Sequence, residues 1–415
     1  MQPKPPFKSS ETPTDDATQT ADFPRLPGIP VPEPGVAVDW ATLERSPLAP
    51  EFERMRETPQ NPLWHSEGDV LTHTRLVVER LVESDAWRAE TPEKRAILFV
   101  AALLHDVAKP FRTRIEDGKI TSPGHAKAGA LAARELLWRR FGLAGSASAR
   151  RFRETVCALI RFHSAPVHIL DAENPEFVVL RAASEGETTE LFSNRLLATL
   201  VEADLRGRIA DNIAESLAAL DVFRDVAQES GVYDASFQFA SDFSRYAYFS
   251  GRVDSPHIDL YDDTWGEVVL LSGLPGTGKD AYIKQNLPDL PVISLDDLRD
   301  EMKIAPEDGP DLVLARAREI AKEHLRAKRP FVWNATNIAN FARAPVVRLC
   351  RDYGANVRIV YLETTWDETL RRNAGRSRVV PTSVIERMLS KLEPPTVRDA
   401  PRVDWVLSER RPNAR

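Results

Sequence analysis

Residues 268–280 read VVLLSGLPGTGKD, a short apolar run followed by a glycine-rich turn and a lysine. An apolar run of this length that ends in glycine is typical of a buried strand. Glycines let backbone N–H groups point towards a bound anion, and a helix that begins directly after them adds a partial positive charge. We therefore expect a phosphate-binding loop between a strand and a helix.

Farther along the chain, short apolar runs alternate with helical stretches. The strand candidates are 291–295, 330–336 and 357–363, and the helical stretches are 280–287, 310–328 and 340–353. This alternation predicts an α/β domain over 267–415, with a parallel sheet and helices on its faces. Ligands of such sheets bind beyond the carboxyl ends of the strands, so the side chains that follow the strands should face the phosphate-binding loop.

The first half of the chain has a different period. Residues 38–230 show helical spacing, and the stretch 94–108 is apolar nearly all round, as in a central buried helix. We expect an all-α domain there. Residues 1–37 hold nine of the 31 prolines, which predicts a disordered tail. The aromatic residues of 231–266 predict either a connector packed on one or both domains or a strand pair of the second domain.

The composition limits the function classes. The 415 residues are 42% hydrophobic and 28% charged, as in an ordinary globular protein. The longest apolar run has nine residues, whereas a bilayer span needs roughly 20, and no secretory signal is visible. Two cysteines cannot form a disulfide framework, so we expect a cytoplasmic protein without membrane contact. The net charge of −7 disfavours wrapping of duplex DNA but allows a cleft for a strand end.

Histidines give the first sign of metal chemistry, since six of the eight lie between 65 and 168. His105-Asp106 ends the most apolar helix, where an ionised aspartate would be costly to bury unless it is paired or bound to a metal. Imidazoles and carboxylates together suit Mn, Co, Ni or Zn, and such ions polarise phosphoryl groups. A single histidine is more often a core or surface residue, but the joint pattern favours a metal site. The candidate ligands are His73, His105, Asp106, His125, His163 and Asp204.

Three segments around these residues resemble the HD phosphohydrolase superfamily: HSEGDVLTHT (65–74), LLHDVAKP (103–110) and SPGHAKAGA (122–130). The resemblance covers about 45–230. It implies one divalent ion on His73, His105, Asp106 and Asp204, with Asp106 able to bridge to a second ion on His125 and His163.

The same resemblance places Lys109 and His65 near the phosphate, with Lys109 and Asp106 in catalytic roles. His65 fits equally well as a residue at the entry to a helix. His168 is the alternative to His163, because only five residues separate them.

In the glycine-rich segment, Lys279 is expected to reach the β- and γ-phosphates of a nucleotide. The residues expected to form the cradle are Gly273, Pro275, Gly276, Thr277 and Gly278. Asp280 stands where a P-loop normally has the Ser or Thr that binds Mg²⁺. A carboxylate oxygen also binds Mg²⁺, so Asp280 either binds the ion or caps the helix that follows.

Later segments add candidates for phosphoryl transfer. SLDDLR (294–299) and NATN (334–337) end two strand candidates. Arg372 and Arg376 are four residues apart, so on a helix or lid they lie on one face, suited to clamping a phosphoryl group. The alternative for these two arginines is a solvated basic face.

Residues 267–395 resemble the kinase domain of polynucleotide 5′-kinases. The resemblance implies that Asp296 is the general base for the 5′-hydroxyl and that Arg299 holds the acceptor's phosphate. It makes Arg372 and Arg376 lid arginines that contact the donor, ATP or another NTP with Mg²⁺, and it places Asn337 in the acceptor pocket. The family often has Asp where this chain has Ala335.

The order of the two halves resembles the bacterial HD-Pnk end-healing enzymes. That resemblance implies ATP-dependent phosphorylation of 5′-hydroxyl RNA or DNA ends and removal of 2′,3′-cyclic, 2′- or 3′-phosphates, with a separate ligase as partner. Two alternatives remain open from the residues alone. One is an HD nucleotidase fused to a small-molecule kinase, and the other is a nucleotide-gated binding module with an inactive HD fold.

Overall fold

A computed structural model describes residues 23–211, 213–305, 308–376 and 378–408. The described residues up to Glu229 hold the helices of a helical domain. Its helices are α1 (Trp40–Leu43), α2 (Ala49–Arg56), α3 (Val70–Glu83), α4 (Asp85–Arg88), α5 (Pro92–Leu104), α6 (Lys109–Arg112), α7 (His125–Arg139), α8 (Ala147–Phe162), α9 (Pro175–Ala183), α10 (Glu185–Thr189), α11 (Asn194–Arg206) and α12 (Ile213–Glu229). A two-stranded hairpin, β1 (Arg114–Glu116) and β2 (Lys119–Thr121), follows α6, and a 3₁₀ turn spans Pro166–Asp171.

Helix α5 forms the centre of the helical domain. Every residue from Ala96 to Leu104 is buried, and the helix packs against α3, α8 and α11. Thr91 caps its first turn by accepting from the Lys94 N–H, and Pro92 starts it. This confirms the predicted central buried helix as far as Leu104, whereas residues 105–108 of the predicted stretch form a turn, so His105 and Asp106 follow the end of α5 inside the domain.

The segment 23–37 lies against the helical domain. Leu26 and Ile29 are buried in its core, and Arg95 donates to the carboxylate of Glu33. Its prolines exclude helix and sheet, yet the apolar residues between them bury enough surface to hold an extended segment in place. This part of the predicted disordered tail is therefore packed, while residues 1–22 lie outside the described residues.

The connector 231–266 contains helix α13 (Asp242–Phe249) and, in the described structure of this segment, no strand. Tyr248 and Phe249 pack on Phe177 of the helical domain. Arg245 donates to the carbonyls of Val397 and Pro401, beyond the connector. The connector thus contacts both sides, and the strand-pair alternative is not what this segment forms.

The second domain is an α/β domain. Its elements are β3 (Glu267–Ser272), α14 (Lys279–Asn286), β4 (Val292–Ser294), α15 (Leu295–Glu301), α16 (Pro310–Arg326), β5 (Val332–Asn334), α17 (Asn340–Asp352), β6 (Asn356–Thr364), α18 (Trp366–Ala374), α19 (Thr382–Leu389) and β7 (Arg402–Ser408). The five strands form one parallel sheet in the order β4-β5-β3-β6-β7. The predicted fold class, an all-α domain followed by an α/β domain with a parallel sheet, is confirmed.

The sheet is buried on both faces, which explains the unbroken apolar runs. Along β3, Val268 and Leu270 belong to one core cluster, whereas Val269 and Leu271 belong to another. Successive side chains of a strand point to opposite faces, so both faces must be covered by helices.

The two domains share a buried interface. Arg153 on α8 and Glu363 on β6 form an ion pair with 2.7 Å between NH2 and Oε2, and both side chains are fully buried. Trp138 of α7 packs in one cluster with Leu274 and Tyr361 of the α/β domain. Separately, no helix among the described residues has the length and apolarity needed to cross a bilayer.

Candidate active sites

The structure brings the six predicted metal ligands together, although they lie on five different segments. The imidazoles and carboxylates come from α3, from the end of α5, from the start of α7, from the end of α8 and from α11. They are His73, His105, Asp106, His125, His163 and Asp204.

The ligand atoms form two adjacent groups. His73, His105 and Asp204 offer atoms within 4.8 Å of one another, and so do Asp106, His125 and His163. Oδ2 of Asp106 lies 3.2 Å from Nε2 of His105, and Oδ1 lies 3.6 Å from Nε2 of His125. Each oxygen of Asp106 therefore faces one group, which is the position of a bridging carboxylate.

Backbone carbonyls orient three of the imidazoles. Nδ1 of His105, His125 and His163 lies 2.8, 2.9 and 2.7 Å from the carbonyl three residues earlier, so each Nδ1 is the donor. In the neutral ring, each Nε2 then carries a free lone pair. Nε2 of His125 and His163 are only 3.1 Å apart, although two acceptors would repel each other.

Buried atoms without hydrogen-bond partners among these ligands indicate that cations would fit between them. Nε2 of His105 and Oδ1 of Asp106 are buried without a hydrogen-bond partner among the described residues. Buried polar atoms are rarely left unpaired, and a divalent ion would satisfy imidazole nitrogens and carboxylate oxygens at once.

Electrostatics favour the protonation states that metal ligands need. Burial raises the pKa of Asp106, but Lys109, with Nζ 2.6 Å from Oδ2, and His105 outweigh it and hold the pKa well below its usual value. Burial lowers the pKa of His163 to about 3 and also lowers that of His125, so both imidazoles are neutral. His105 differs, because Asp106 raises its pKa against the effect of burial.

A cavity of ≈ 620 Å³ opens above these ligands. Lys109, buried at its floor, also donates to Oε1 of Gln60, and Arg208 pairs with Asp204 at 2.6 Å. Trp64 lines the cavity and is 47% exposed. His168 lies on the 3₁₀ turn with a side chain that is 71% exposed, so the structure brings His163 rather than His168 to the ligand groups.

Sequence reasoning missed Glu67 and Arg208. Oε1 of Glu67 lies 2.8 Å from Nδ1 of His65 and 2.8 Å from Nδ1 of His73, and Oε2 accepts from the Ile209 N–H. Burial raises the pKa of Glu67, but the contacts with His65 and His73 bring it well below its usual value. Glu67 contacts Nδ1 of His73 without a well-aligned hydrogen bond, and Nε2 of the same ring lies 3.0 Å from Asp204. The HSE triplet was visible in the sequence, but the partners of its glutamate were not.

In the α/β domain, residues 273–278 form a tight loop between β3 and α14. Gly273 and Gly276 have φ of +148° and +83°, and an added Cβ would lie 2.6 and 2.7 Å from the carbonyls of Leu362 and Thr369. Only glycine fits at these two positions. Lys279 donates from Nζ to the carbonyls of Gly273 and Leu274, and burial lowers its pKa to about 8.

The structure bears on the two roles predicted for Asp280, as a ligand of Mg²⁺ or as the cap of α14. Gly278 holds the N-cap position of α14, and no side chain caps that helix. Asp280 is exposed, and its Oδ1 accepts from the amide of Asn334 at the end of β5, 2.9 Å away. The capping alternative is therefore wrong, and a role in binding Mg²⁺ remains a proposal.

Asp296 and the two arginines predicted to form a lid, Arg372 and Arg376, lie near this loop. Asp296 is in the first turn of α15 with its side chain 77% exposed, and its Oδ2 lies 3.8 Å from Arg376. Arg372 donates to Glu368 and lies 3.4 Å from the Thr277 carbonyl. Both arginines therefore face the mouth of the loop from α18 and the segment that follows it.

The two residues predicted to bind the acceptor, Asn337 and Arg299, both donate hydrogen bonds to backbone carbonyls. Asn337 is buried, with its amide donating to the Leu271 carbonyl at 2.7 Å, so it fixes the loop after β5 instead of facing an acceptor. Arg299 donates to the carbonyls of Ala305 and Asp308. The structure does not bring Asn337 to the acceptor side, because the tight turn at this residue (φ +44°) directs its amide under β3.

Comparisons with known proteins agree with this division. A family model described as HD domain matches residues 70–196, and one described as AAA domain matches 268–395. The chain is 24% identical over 136 residues to L-seryl-tRNA(Sec) kinase of Methanococcus maripaludis, covering 31% of this chain and 53% of that protein. The chain thus spans about half the length of this curated relative. The protein thus contains an HD domain over 70–196, followed by a P-loop kinase-like domain over 268–395.

Proposed function

We propose that the protein heals nucleic-acid ends with two active sites. The α/β domain transfers a phosphoryl group from ATP to a 5′-hydroxyl, and the helical domain removes a 2′,3′-cyclic, 2′- or 3′-phosphate. One observation carries the proposal: six metal-type ligands converge in the first domain, and a lysine-bearing glycine loop faces an aspartate in the second.

In the helical domain, the two ligand groups would hold one or two divalent transition ions such as Mn, Ni, Co or Zn. Bound ions would supply Lewis-acid polarisation of the phosphate and acidification of water. Lys109 contributes a fixed cation at the cavity floor, held by Asp106 and Gln60, and it is placed to bind a phosphate oxygen. Arg208 orients Asp204 and adds a second positive charge.

In the α/β domain, positioning and charge stabilisation carry the reaction. Lys279 and the loop amides bind the donor's phosphates, and Mg²⁺ accompanies the donor, with Asp280 as a proposed ligand. Asp296 is exposed at the mouth of the loop, where it accepts the proton of the 5′-hydroxyl. Arg372 and Arg376 flank the transferring group and stabilise its charge.

Two features support a nucleic-acid substrate. Trp64 presents an exposed indole at the rim of the phosphohydrolase cavity, and aromatic rings of this kind stack on nucleobases. The relative's printed name describes a kinase of L-seryl-tRNA(Sec), an acceptor that includes RNA.

A second candidate is an HD nucleotidase fused to a nucleoside-type kinase. Arg299 favours it, because its guanidinium is bound to carbonyls of 305 and 308 instead of starting a basic track for a strand. The acidic residues Asp297 and Asp300 lie close to Arg299 on α15, and both are exposed.

Transfer of the γ-phosphate of labelled ATP distinguishes the two candidates. The acceptors are a 5′-hydroxyl oligoribonucleotide, its DNA counterpart and adenosine, with Asp296→Asn as the inactive control. We expect label on an oligonucleotide with wild-type protein only. Label on adenosine with none on either oligonucleotide would overturn the end-healing proposal in favour of the nucleoside kinase.

A further inference from the structure

A second cavity, of ≈ 360 Å³, lies between the two domains. The helical domain lines it with residues of α8, α9 and α10, and the α/β domain lines it with α17, the segment 393–399 and β7. None of its lining residues is a proposed metal ligand or part of the phosphate-binding loop. Its volume is that of a site for a small molecule.

The charges that line this interdomain cavity do not balance locally. Each of its four carboxylates is paired with a cation within 2.7 Å. These pairs are Glu154–Arg134, Glu185–Arg398, Glu393–Lys127 and Asp399–Arg343. Two lining arginines, Arg161 and Arg181, have no carboxylate partner in the described part of the chain. Arg181 is exposed to solvent, and partial desolvation together with the nearby Arg398 and Arg161 lowers the pKa of its guanidinium, so three positive charges lie close together here.

The walls of the cavity also hold unpaired donors. Four lining residues have a buried polar atom without a hydrogen-bond partner among the described residues. These atoms are Thr188 Oγ1, Arg343 Nε, Arg398 Nε and Trp405 Nε1. Three can only donate and the hydroxyl can donate as well, while Thr188 is 6% exposed. These atoms lie within the walls, so the anion-binding capacity of the cavity rests on the guanidinium groups of Arg161 and Arg181, which line it without a carboxylate partner in the described chain.

We propose that the interdomain cavity binds a phosphate-bearing anion of nucleotide size. Its phosphate would lie among Arg161, Arg181 and Arg398, since guanidinium groups match phosphate oxygens in pairs. Phe177 and Phe249 supply an apolar wall for the remainder of the ligand. The ligand contacts both domains, so its binding stabilises their interface. This site is separate from both proposed reactions, and the anion is either a free nucleotide or a phosphodiester of a bound strand.

Isothermal titration calorimetry tests the site in an Asp106→Asn/Lys279→Met background, which weakens phosphate binding in the two active sites. The probes are inorganic phosphate, AMP and a dinucleotide with hydroxyl groups at both ends. We expect one saturable site, and Arg181→Gln should weaken it by about 10- to 100-fold. Arg161→Gln should also weaken it, because Arg161 lines the cavity without a carboxylate partner among the described residues. Arg25→Gln, with the same charge change outside the cavity, should leave affinity unchanged.

The three probes separate the sources of the anion. Tighter binding of AMP than of the dinucleotide, sensitive to Arg181→Gln, would support a free nucleotide, and the reverse order would support a strand. Absence of saturable binding of all three probes would overturn the proposal. So would binding that neither Arg181→Gln nor Arg161→Gln changes.

Discussion

Replacing Glu363 with alanine removes the carboxylate at the centre of the interface between the domains. Its Oε1 accepts from NH1 of Arg153 at 3.0 Å and from the Gly145 N–H at 3.1 Å, and its Oε2 accepts from NH2 of Arg153 at 2.7 Å. Breaking a buried pair by removing one partner destabilises a protein by about 3–5 kcal/mol. Arg153 keeps Glu154 as a partner, so we expect the loss in free energy of unfolding at the lower end, about 3 kcal/mol.

Urea unfolding monitored by tryptophan fluorescence measures this loss as a lower midpoint. Glu363→Gln keeps the shape and one acceptor, so its loss should be smaller. The matched control is Glu83→Ala, because Glu83 pairs with Arg80 on the surface, with side chains 60% and 53% exposed. That substitution should change stability by less than about 0.5 kcal/mol. If Glu363→Ala lies within about 1 kcal/mol of wild type, Arg153 is solvated and the closed interface is wrong.

Three further predictions concern the two sites. Glu67→Gln should lower metal affinity by about 10- to 100-fold by releasing His73, and unchanged affinity in a chelator competition would exclude this orienting role. The Kd for ATP should rise by about tenfold per pH unit above pH 8, because the half-buried Lys279 loses its proton there and with it the attraction for polyphosphate; a constant Kd from about pH 7 to 9.5 would contradict this. Trp64→Ala should raise KM for a 3′-phosphate oligonucleotide by about tenfold and leave hydrolysis of p-nitrophenyl phosphate unchanged, whereas equal losses on both substrates would indicate a structural role.

Local patterns were sufficient for most of the fold. The apolar run 268–272 and the glycines after it predicted β3 and its loop, since a fully buried strand followed by a tight turn leaves few alternatives. Strand β7 was not predicted. It is an edge strand whose residues are half-buried or exposed, and Arg402 and Asp404 interrupt its apolar pattern. An edge strand is recognised by its partner in the sheet, which the local sequence does not contain.

Four of the metal-type ligands were predictable because they lie in three short motifs, 65–74, 103–110 and 122–130, and His163 and Asp204 were added by the resemblance that these motifs carry. Glu67 and Arg208 were not predicted, because their roles depend on contacts between distant segments, such as the bond from Ile209 to Glu67, 142 residues away. The same holds for the pair of Arg153 and Glu363, which are 210 residues apart. For Asn337, a role was predicted that the structure does not support. The resemblance placed this residue in the acceptor pocket, but its buried amide donates to the backbone carbonyl of Leu271.

One assay tests the central claim of two independent sites most directly. An oligonucleotide with a 5′-hydroxyl and a 3′-phosphate is incubated with ATP and divalent ions, and both ends are scored for wild type, Asp106→Asn and Lys279→Met. We predict that wild type changes both ends, that Asp106→Asn loses only removal of the 3′-phosphate, and that Lys279→Met loses only 5′-phosphorylation. A wild-type protein that alters neither end, or a single substitution that abolishes both reactions in a folded protein, would contradict the account.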